Sequence, residues 1–568
     1  MSHPRPWSAQ RRYPRIQLMQ VAPLVALGLL LGLLALPALP ALTALYRGGV
    51  GSPEPPVAIQ AGELWSRRST QALPWVPRSV TISGRDTLVW GAGSVSNPRL
   101  MAFPMAGAGA QPGVTPALFQ DSLVADALGV LTVAAGRRSE RLFALAQRPN
   151  PDALRRRSEV RAYDPEDVSR SGSSTPAWTH DVLSAANGPA RIAVSETGHL
   201  VAAAAWDDAL GEVVVHWLDG TADSATLLAT TAFPAPTLNG LAISDDGTRL
   251  AVTAGLELRI FNATGGLLFT QTLQAATRAL ALSGDGSTAL VGGIGGLQVF
   301  AEGPGGYARE QVIVGSSDEV VAEIDINPDG TSYAVAWWVF TSGASLRFEL
   351  RDRGSHETLA ALQQIGPDGS TLQNRPEAVA VSRDGTRAAL GAWGDGTSPE
   401  VVLLEAGREE PVLTVDLAGS VQDLALDERG THIVVAAKST HANEFGSTGS
   451  IEVHTTGEDD LALARGPEVG GSLDFVGRHE GASLVLFLVG RRRATPLVFD
   501  DAGGALWLER TRRLLSYPAA TDSTGAAERS VPIPDLPGLI GTRKTIQAAF
   551  RVDGGVIFGS TVFDAWIL

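Results

Sequence analysis

Apolar and polar positions alternate along most of this chain in one recurring sentence: an apolar strand, a polar Asp-Gly turn, and a second apolar strand. The clearest copy is Leu241–Gly255, LAISDDGTRLAVTAG. Others are Ile192–Ala205, Leu280–Gly293, Ile324–Trp337, Val379–Ala392 and Leu424–Ala437. Their turn glycines, Gly198, Gly247, Gly286, Gly330, Gly385 and Gly430, are spaced 49, 39, 44, 55 and 45 residues apart. A third strand follows each pair, for example Val213–Asp219, Leu256–Asn262 and Ser345–Asp352, and then a less regular fourth such as Leu267–Leu273. Period-two alternation in the first strand and clustered apolar residues in the second suit inner strands sandwiched between neighbouring sheets. A self-similar period in the forties, built of strands, is the signature of propeller blades.

Weaker copies flank the six: Ser79–Gly93 and Ser122–Gly136 before them, Leu497–Glu509 and Ala548–Ser560 after them, with Ser472–Gly490 as a further unit. The pattern therefore predicts an all-β fold, a β-propeller of four-stranded antiparallel blades with about 8–10 repeat units over residues 79–568. The apolar run Val562–Leu568 predicts a last strand whose blade needs an outer partner. Ring closure predicts that partner within Val57–Pro77, because an open blade leaves an unpaired edge.

The N-terminus breaks the pattern. Arg5, Arg11, Arg12 and Arg15 precede a stretch, residues 16–46, without a charge. Its apolar part, Val21–Leu45, is 25 residues, or ~37 Å as a helix at ~1.5 Å per residue, enough to cross a bilayer with some tilt. The arginines place residues 1–15 in the cytoplasm and the body outside. This predicts a single-pass signal-anchor, with 47–78 as linker and possible ring-closing strand. The alternative is a cleaved signal peptide and a secreted or periplasmic body. Cleavage after Ala38, Ala41 or Ala44 would leave Leu36, Leu39 or Leu42 at −3, where a small residue is wanted. Gly28 and Gly32 form a small-xxx-small pair that a glycine-rich segment also explains.

Composition excludes several classes. With no Cys, disulfides and thiolate metal sites are absent. A net charge of −15 argues against nucleic-acid binding, which needs a basic face. The turn "(I/V/L)-x-(I/V/L)-S/N-x-D-G-x-x-(apolar)", as in Ala242–Ala251 and Ile324–Ala334, resembles bacterial WD40-like and YVTN-type propeller repeats. That resemblance implies the fold over most of the chain and leaves function open among binding modules, lactonases and periplasmic assembly factors. The Trp-Asp ending of WD40 units is missing from the third strands, and Trp206-Asp207 follows a second strand.

Candidate chemistry is sparse. Asp325, Asn327 and Asp329 match the opening of a calcium loop, but Ala336 stands at the twelfth position, and turn chemistry alone explains Asn, Asp and Gly there. No other cofactor is indicated. No G-x-S-x-G, H-E-x-x-H or Gly-Lys motif occurs, so serine-hydrolase, zincin and P-loop readings lose their marks. Of nine histidines, His432, His441 and His454 share one blade. Longer second-to-third-strand connections would bring Trp206, Asp207, Trp337, Trp338, Trp393, Asp395, His441 and Phe445 to one rim, suiting a protein or glycan partner. Each Trp would equally serve as packing between blades. Arg137–Arg161, eight Arg against three acids, reads as a basic insertion in the Gly129–Gly198 gap, with Arg491–Arg493 and Arg510, Arg512 and Arg513 as further clusters. A solvated loop and an anionic docking patch are its two readings. The expectation is a non-catalytic, membrane-anchored, extracytoplasmic binding or scaffold propeller; the alternative is an exported enzyme of lactonase or glycan-active type.

Overall fold

The computed structural model describes residues 69–83, 88–93, 99–105, 119–122, 131–150, 156–164, 175–341, 345–366, 373–442, 444, 446–465, 469–499, 502–509, 514–539, 542–553 and 555–566. The tail, anchor or signal segment, and most of the linker expected from the sequence lie outside these residues, as does Phe445. Among the described residues no helix is long and apolar enough to cross a membrane.

Eight four-stranded antiparallel sheets are present among the described residues, and they form a closed β-propeller. Blade one comprises Pro77–Ser83, Leu88–Gly93, Arg99–Pro104 and Phe119–Ser122. Blade two comprises Leu131–Ala134, Leu142–Pro149, Arg156–Tyr163 and Trp178–Ala186. Blades three to seven open with the inner strands Ala190–Val194, Leu238–Ile243, Thr277–Leu282, Glu319–Ile326 and Pro376–Val381. Blade eight has Val421–Leu426, His432–Lys438 and Gly449–Thr455, and its outer strand is Ser69–Leu73, from the other end of the sequence. Each inner strand packs beside the next, and that of blade one lies beside that of blade eight.

The closing strand thus comes from within the stretch expected to supply it, but it pairs with Gly449–Thr455, Ser69 opposite Val453 and Leu73 opposite Gly449. Leu73 and Trp75 are buried against Val80, Met101, Val434 and Ile451, stitching blades eight and one. The later apolar runs form different sheets. Leu461–Arg465, Ser472–Arg478 and Ala526–Pro532 make one of three strands, and Arg543–Val552 is central to one of five, with Leu484–Gly490 beside it. Their core is Phe475, Phe487, Val485, Ile546 and Phe550.

The repeated turn has a repeated mechanism. Ser244 Oγ accepts the Arg249 amide at 3.0 Å and donates to Asp246 Oδ1 at 2.6 Å, while Asp246 Oδ1 accepts the Thr248 amide at 2.8 Å. Ser283 with Asp285, and Ser382 with Asp384, repeat this. Asn327 and Asp427 substitute a longer side chain that accepts the same pair of amides. Gly247 adopts φ 69°, the left-handed conformation that a side chain disfavours.

These turns define one face of the ring, the turn face. Connections between second and third strands define the other, the loop face. The C-terminal sheets attach on the turn face: Asp459 binds His432 of blade eight, Glu458 pairs with Arg387 of blade seven, and Arg543 pairs with Glu140 in the blade-two turn.

Arg137–Arg161 is not an insertion. Gly136 belongs to the blade-two turn, and Leu142–Pro149 and Arg156–Tyr163 are that blade's second and third strands. Four of its arginines are paired internally or nearby: Arg148 and Arg161 with Glu159, Arg157 with Asp181, and Arg141 with Asp223.

Candidate functional site: the channel and the loop face

Six inner strands carry a register shift at the same place, between 77/79, 238/240, 277/279, 321/323, 376/378 and 421/423. Each is a bulge that leaves one residue without an opposite number, and bulges re-aim side chains. Five of these six residues are polar or charged, Arg78, Asn239, Arg278, Glu377 and Gln422, and they lie at the loop-face end of the inner strands. Arg78 donates to Gln422 across the seam of blades one and eight.

Beside them the inner strands present acids. Burial, with Glu377 close by, pushes the half-buried Glu323 well above the usual carboxylate range. Burial also raises Glu377, against the pull of Arg375 at 3.3 Å. Asp423 is pushed up to about 6 by burial, although its carboxylate accepts the amides of Val80 and Leu424. Asp325 repeats that staple one blade pair away: Oδ2 accepts the Val381 amide at 2.8 Å, and burial lifts the group to about 6. Both aspartates therefore tie one inner strand to the next.

The turn-face mouth is crossed by a ring of alternating charges. Arg138 lies 3.3 Å from Glu196 and 3.6 Å from Glu428. Arg383 pairs with the same two glutamates from the opposite side. These residues come from blades two, three, seven and eight, so the network spans the channel.

The sequence-predicted rim residues separate. Trp337 is fully buried, its Nε1 donating to Glu349 at 3.1 Å beneath the Arg347 guanidinium. Trp206 is half-buried and donates to the Ala235 carbonyl at 2.8 Å. Trp338 follows Trp337 and is half-buried. Asp207 and Asp395 serve their own turns, accepting the amides of Ala209 and Leu210, and of Thr397 and Ser398. Those amides hold Asp395 below the carboxylate range despite its burial. Trp393 and the His441–Ala442 segment are linked through Ser420 at the seam of blades seven and eight. Ser420 Oγ donates to the Trp393 carbonyl at 2.6 Å and accepts the Ala442 amide, while His441 Nδ1 lies 3.5 Å from Glu400. Glu400 is fully buried and pushed up to about 7 by that burial, against the Leu417 amide.

The calcium-loop match is otherwise engaged. Asn327 Oδ1 accepts the amides of Thr331 and Ser332, and Asp325 is the staple described above. Asp329 is exposed. Among the described residues no three His, Asp or Glu side chains converge as a metal site. The three histidines of blade eight do not converge either. His432 sits in the turn-face cluster, His441 on the loop face, and His454 lies 3.1 Å from Glu452 within its strand.

What the sequence did not single out is an apolar arc. Among the described residues thirteen large hydrophobics are exposed, and six of them lie on the loop face of four consecutive blades. They are Leu210 in blade three, Leu256 in blade four, Ile294 and Val314 in blade five, and Phe340 and Ile365 in blade six, with exposures from 41% to 78%. Four occupy second-to-third-strand connections and two follow or end outer strands. The available signal was an apolar residue in a tight connection where Gly, Asn or Asp is favoured, as in Gly293-Ile294-Gly295.

No protein-family model matches this chain, and no curated protein does. Many solved structures align with it. The Dos1 propeller is 10% identical with a TM-score of 0.47, covering 70% of this chain and 97% of that one. Chaetomium thermophilum Sqt1, solved bound to the N-terminus of ribosomal protein L10, is 14% identical with a TM-score of 0.46, covering 67% and 97%. The RRP9 WD40 repeats are 12% identical with a TM-score of 0.42, covering 68% and 97%. The propeller assignment rests on the strand pairing within the chain itself.

Proposed function

We propose that this chain is a non-catalytic binding or scaffold propeller that docks a protein partner on the loop face of blades three to six. The apolar arc carries the reading: four neighbouring blades expose Leu, Ile, Val and Phe at the same end, whereas isolated surface hydrophobics would scatter. A protein suits this surface better than a glycan. Sugars stack on exposed aromatic rings, and Trp206 and Trp337 are drawn into the blades. The four arginines of residues 1–15 and the uncharged apolar stretch after them support anchorage with the body outside the cytoplasm.

Placing a photo-crosslinking residue at Leu256 or Ile294 in cells tests the docking face, with Glu409, on the blade-seven outer connection, as control. One protein crosslinked from both arc positions and not from Glu409 supports the reading. Crosslinks from Glu409 alone, or loss of the product on glycosidase treatment, contradict it. Fusion of alkaline phosphatase after residue 568 tests the topology, and an inactive fusion counts against an extracytoplasmic body.

An exported enzyme is the second reading, favoured by the raised carboxyls Glu323, Glu377 and Asp423 at one mouth. Turnover of a lactone or glycoside that Glu323→Gln abolishes would establish it.

A further inference from the structure

The C-terminal sheets gather positive charge at one end. Arg491–Arg493 leads into a two-stranded hairpin, Arg492–Val498 against Ala505–Leu508, with Arg492 opposite Leu508. The Glu509 amide donates to the Arg491 carbonyl at 2.8 Å and fastens the base of this hairpin. Arg510, Arg512 and Arg513 follow Glu509 in the sequence but lie outside the described residues, and the site is defined without them. On the neighbouring strand Gly490 is paired with Thr545, so Arg543 and Lys544, the first two residues of Arg543–Val552, run alongside Arg491. Arg491 and Lys544 are exposed, Arg492 and Arg493 half-buried, and Arg543 is paired with Glu140. Among the described residues the other acids at this end are Glu509 and, opposite Thr545, Asp564. Arg491, Arg492, Arg493 and Lys544 outnumber those two, on a chain whose net charge is −15.

The same hairpin carries apolar surface. The Arg492 guanidinium lies 5.9 Å from the centre of the half-buried Trp507 ring, and Val498, at the far end of its strand, is 75% exposed. Cations at the headgroups, with an aromatic ring and an apolar side chain at the acyl boundary, are what an anionic bilayer surface rewards. A nucleic acid would engage the cations and leave Val498 in water. We propose that this end of the C-terminal sheets docks on an anionic phospholipid surface. Arg491, Arg492, Arg493 and Lys544 meet the headgroups, and the hairpin lies along the interface. The apolar stretch Val21–Leu45 would keep a bilayer within reach, and to that extent the choice of lipid rests on the anchorage proposed above. The site is separate from the apolar arc and does not involve it.

The test is hydrogen exchange of the full-length chain in nanodiscs of phosphatidylcholine alone and of phosphatidylcholine with phosphatidylglycerol in equal parts. Each cation near an anionic surface strengthens docking on the order of fivefold. Amides around Arg491–Arg493 and Lys544 should therefore exchange at least about threefold more slowly in the anionic discs. The difference should vanish in ~1 M salt, where the Debye length is about 3 Å. Arg491→Gln/Arg493→Gln/Lys544→Gln should abolish it, and Phe340→Asp, on the arc, should leave it unchanged. Thermal melts show whether the triple variant folds, and Lys544→Glu, at an exposed position, carries the test if it does not. A chain that enters neither disc shows that the anchorage reading has failed. Flotation with vesicles of the same two compositions then decides: salt-sensitive flotation with phosphatidylglycerol alone supports the docking site, and its absence overturns it. Equal exchange in the two discs, an unchanged difference in the substituted chain, or protection by a short oligonucleotide and not by phosphatidylglycerol would also overturn the proposal.

Discussion

His432 lies between two carboxylates, Nδ1 at 3.0 Å from Asp427 and Nε2 at 3.0 Å from Asp459. Burial alone would lower its pKa, but the charges and hydrogen bonds of Asp459 and Asp427 hold it well above the ordinary imidazole value. The same imidazolium holds both aspartates below theirs, against their own burial. The signs fix the pH window. The histidine's contribution is complete below its unfolded pKa of about 6.5 and fades as pH rises through the raised folded value. The aspartates' contribution is complete above about 4 and fades as pH falls through their depressed values. His432→Gln should therefore cost about 3–5 kcal/mol near pH 6, with the difference from wild type shrinking toward both extremes; urea denaturation against pH measures it. Gly247→Ala should cost about 1–2 kcal/mol, the penalty for a Cβ at positive φ, and its Tm reports it. The residue identities behind the turn were visible in the sequence, because Ser, Asp and Gly act within six residues of one another. The staple made by Asp325 was not: its acceptor role depends on Val381, 56 residues away, and the local D-x-N-x-D-G spelling reads as turn chemistry alone.

The ring's weakest closure, at the scale of elements, is the strand Ser69–Leu73. Deleting it would leave Gly449–Thr455 as an open edge and expose the cluster around Leu73 and Trp75. Each of those side chains contributes on the order of 1.5–3 kcal/mol when buried. A chain lacking residues 69–73 should melt at a lower temperature and self-associate in light scattering, and an unchanged melt would show that closure lies elsewhere. The repeats of Ile192–Ala437 were legible because each blade pairs strands adjacent in sequence. Beyond residue 460 the apolar runs look alike but pair at long range, Leu484–Gly490 with both Leu515–Ala520 and Arg543–Val552. Local pattern does not specify such partners. The blade-two turn contains Gly136, so what read as a basic insertion is two regular strands; Arg148, Arg157 and Arg161 neutralise acids within the blade.

Across the whole molecule the two faces divide the work. The turn face carries the C-terminal sheets, the Asp-His-Asp cluster and the ion network over the channel. The loop face of blades three to six carries the exposed arc. The sequence pointed to that face through its long Trp-bearing connections, but the tryptophans largely pack inward and the short connections expose the apolar tips. A tip residue contributes to docking only when desolvated by a partner, and central apolar anchors typically account for about 2 kcal/mol or more each. The most direct measurement is quantitative co-purification of the crosslinked partner with Leu256→Glu/Ile294→Glu/Phe340→Glu, compared with wild type and with a turn-face control, Leu227→Glu/Leu267→Glu. The account predicts an arc variant that melts like wild type and loses the partner, while the control retains it. Retention by the arc variant, or equal loss from the control, would contradict a docking surface on the loop face.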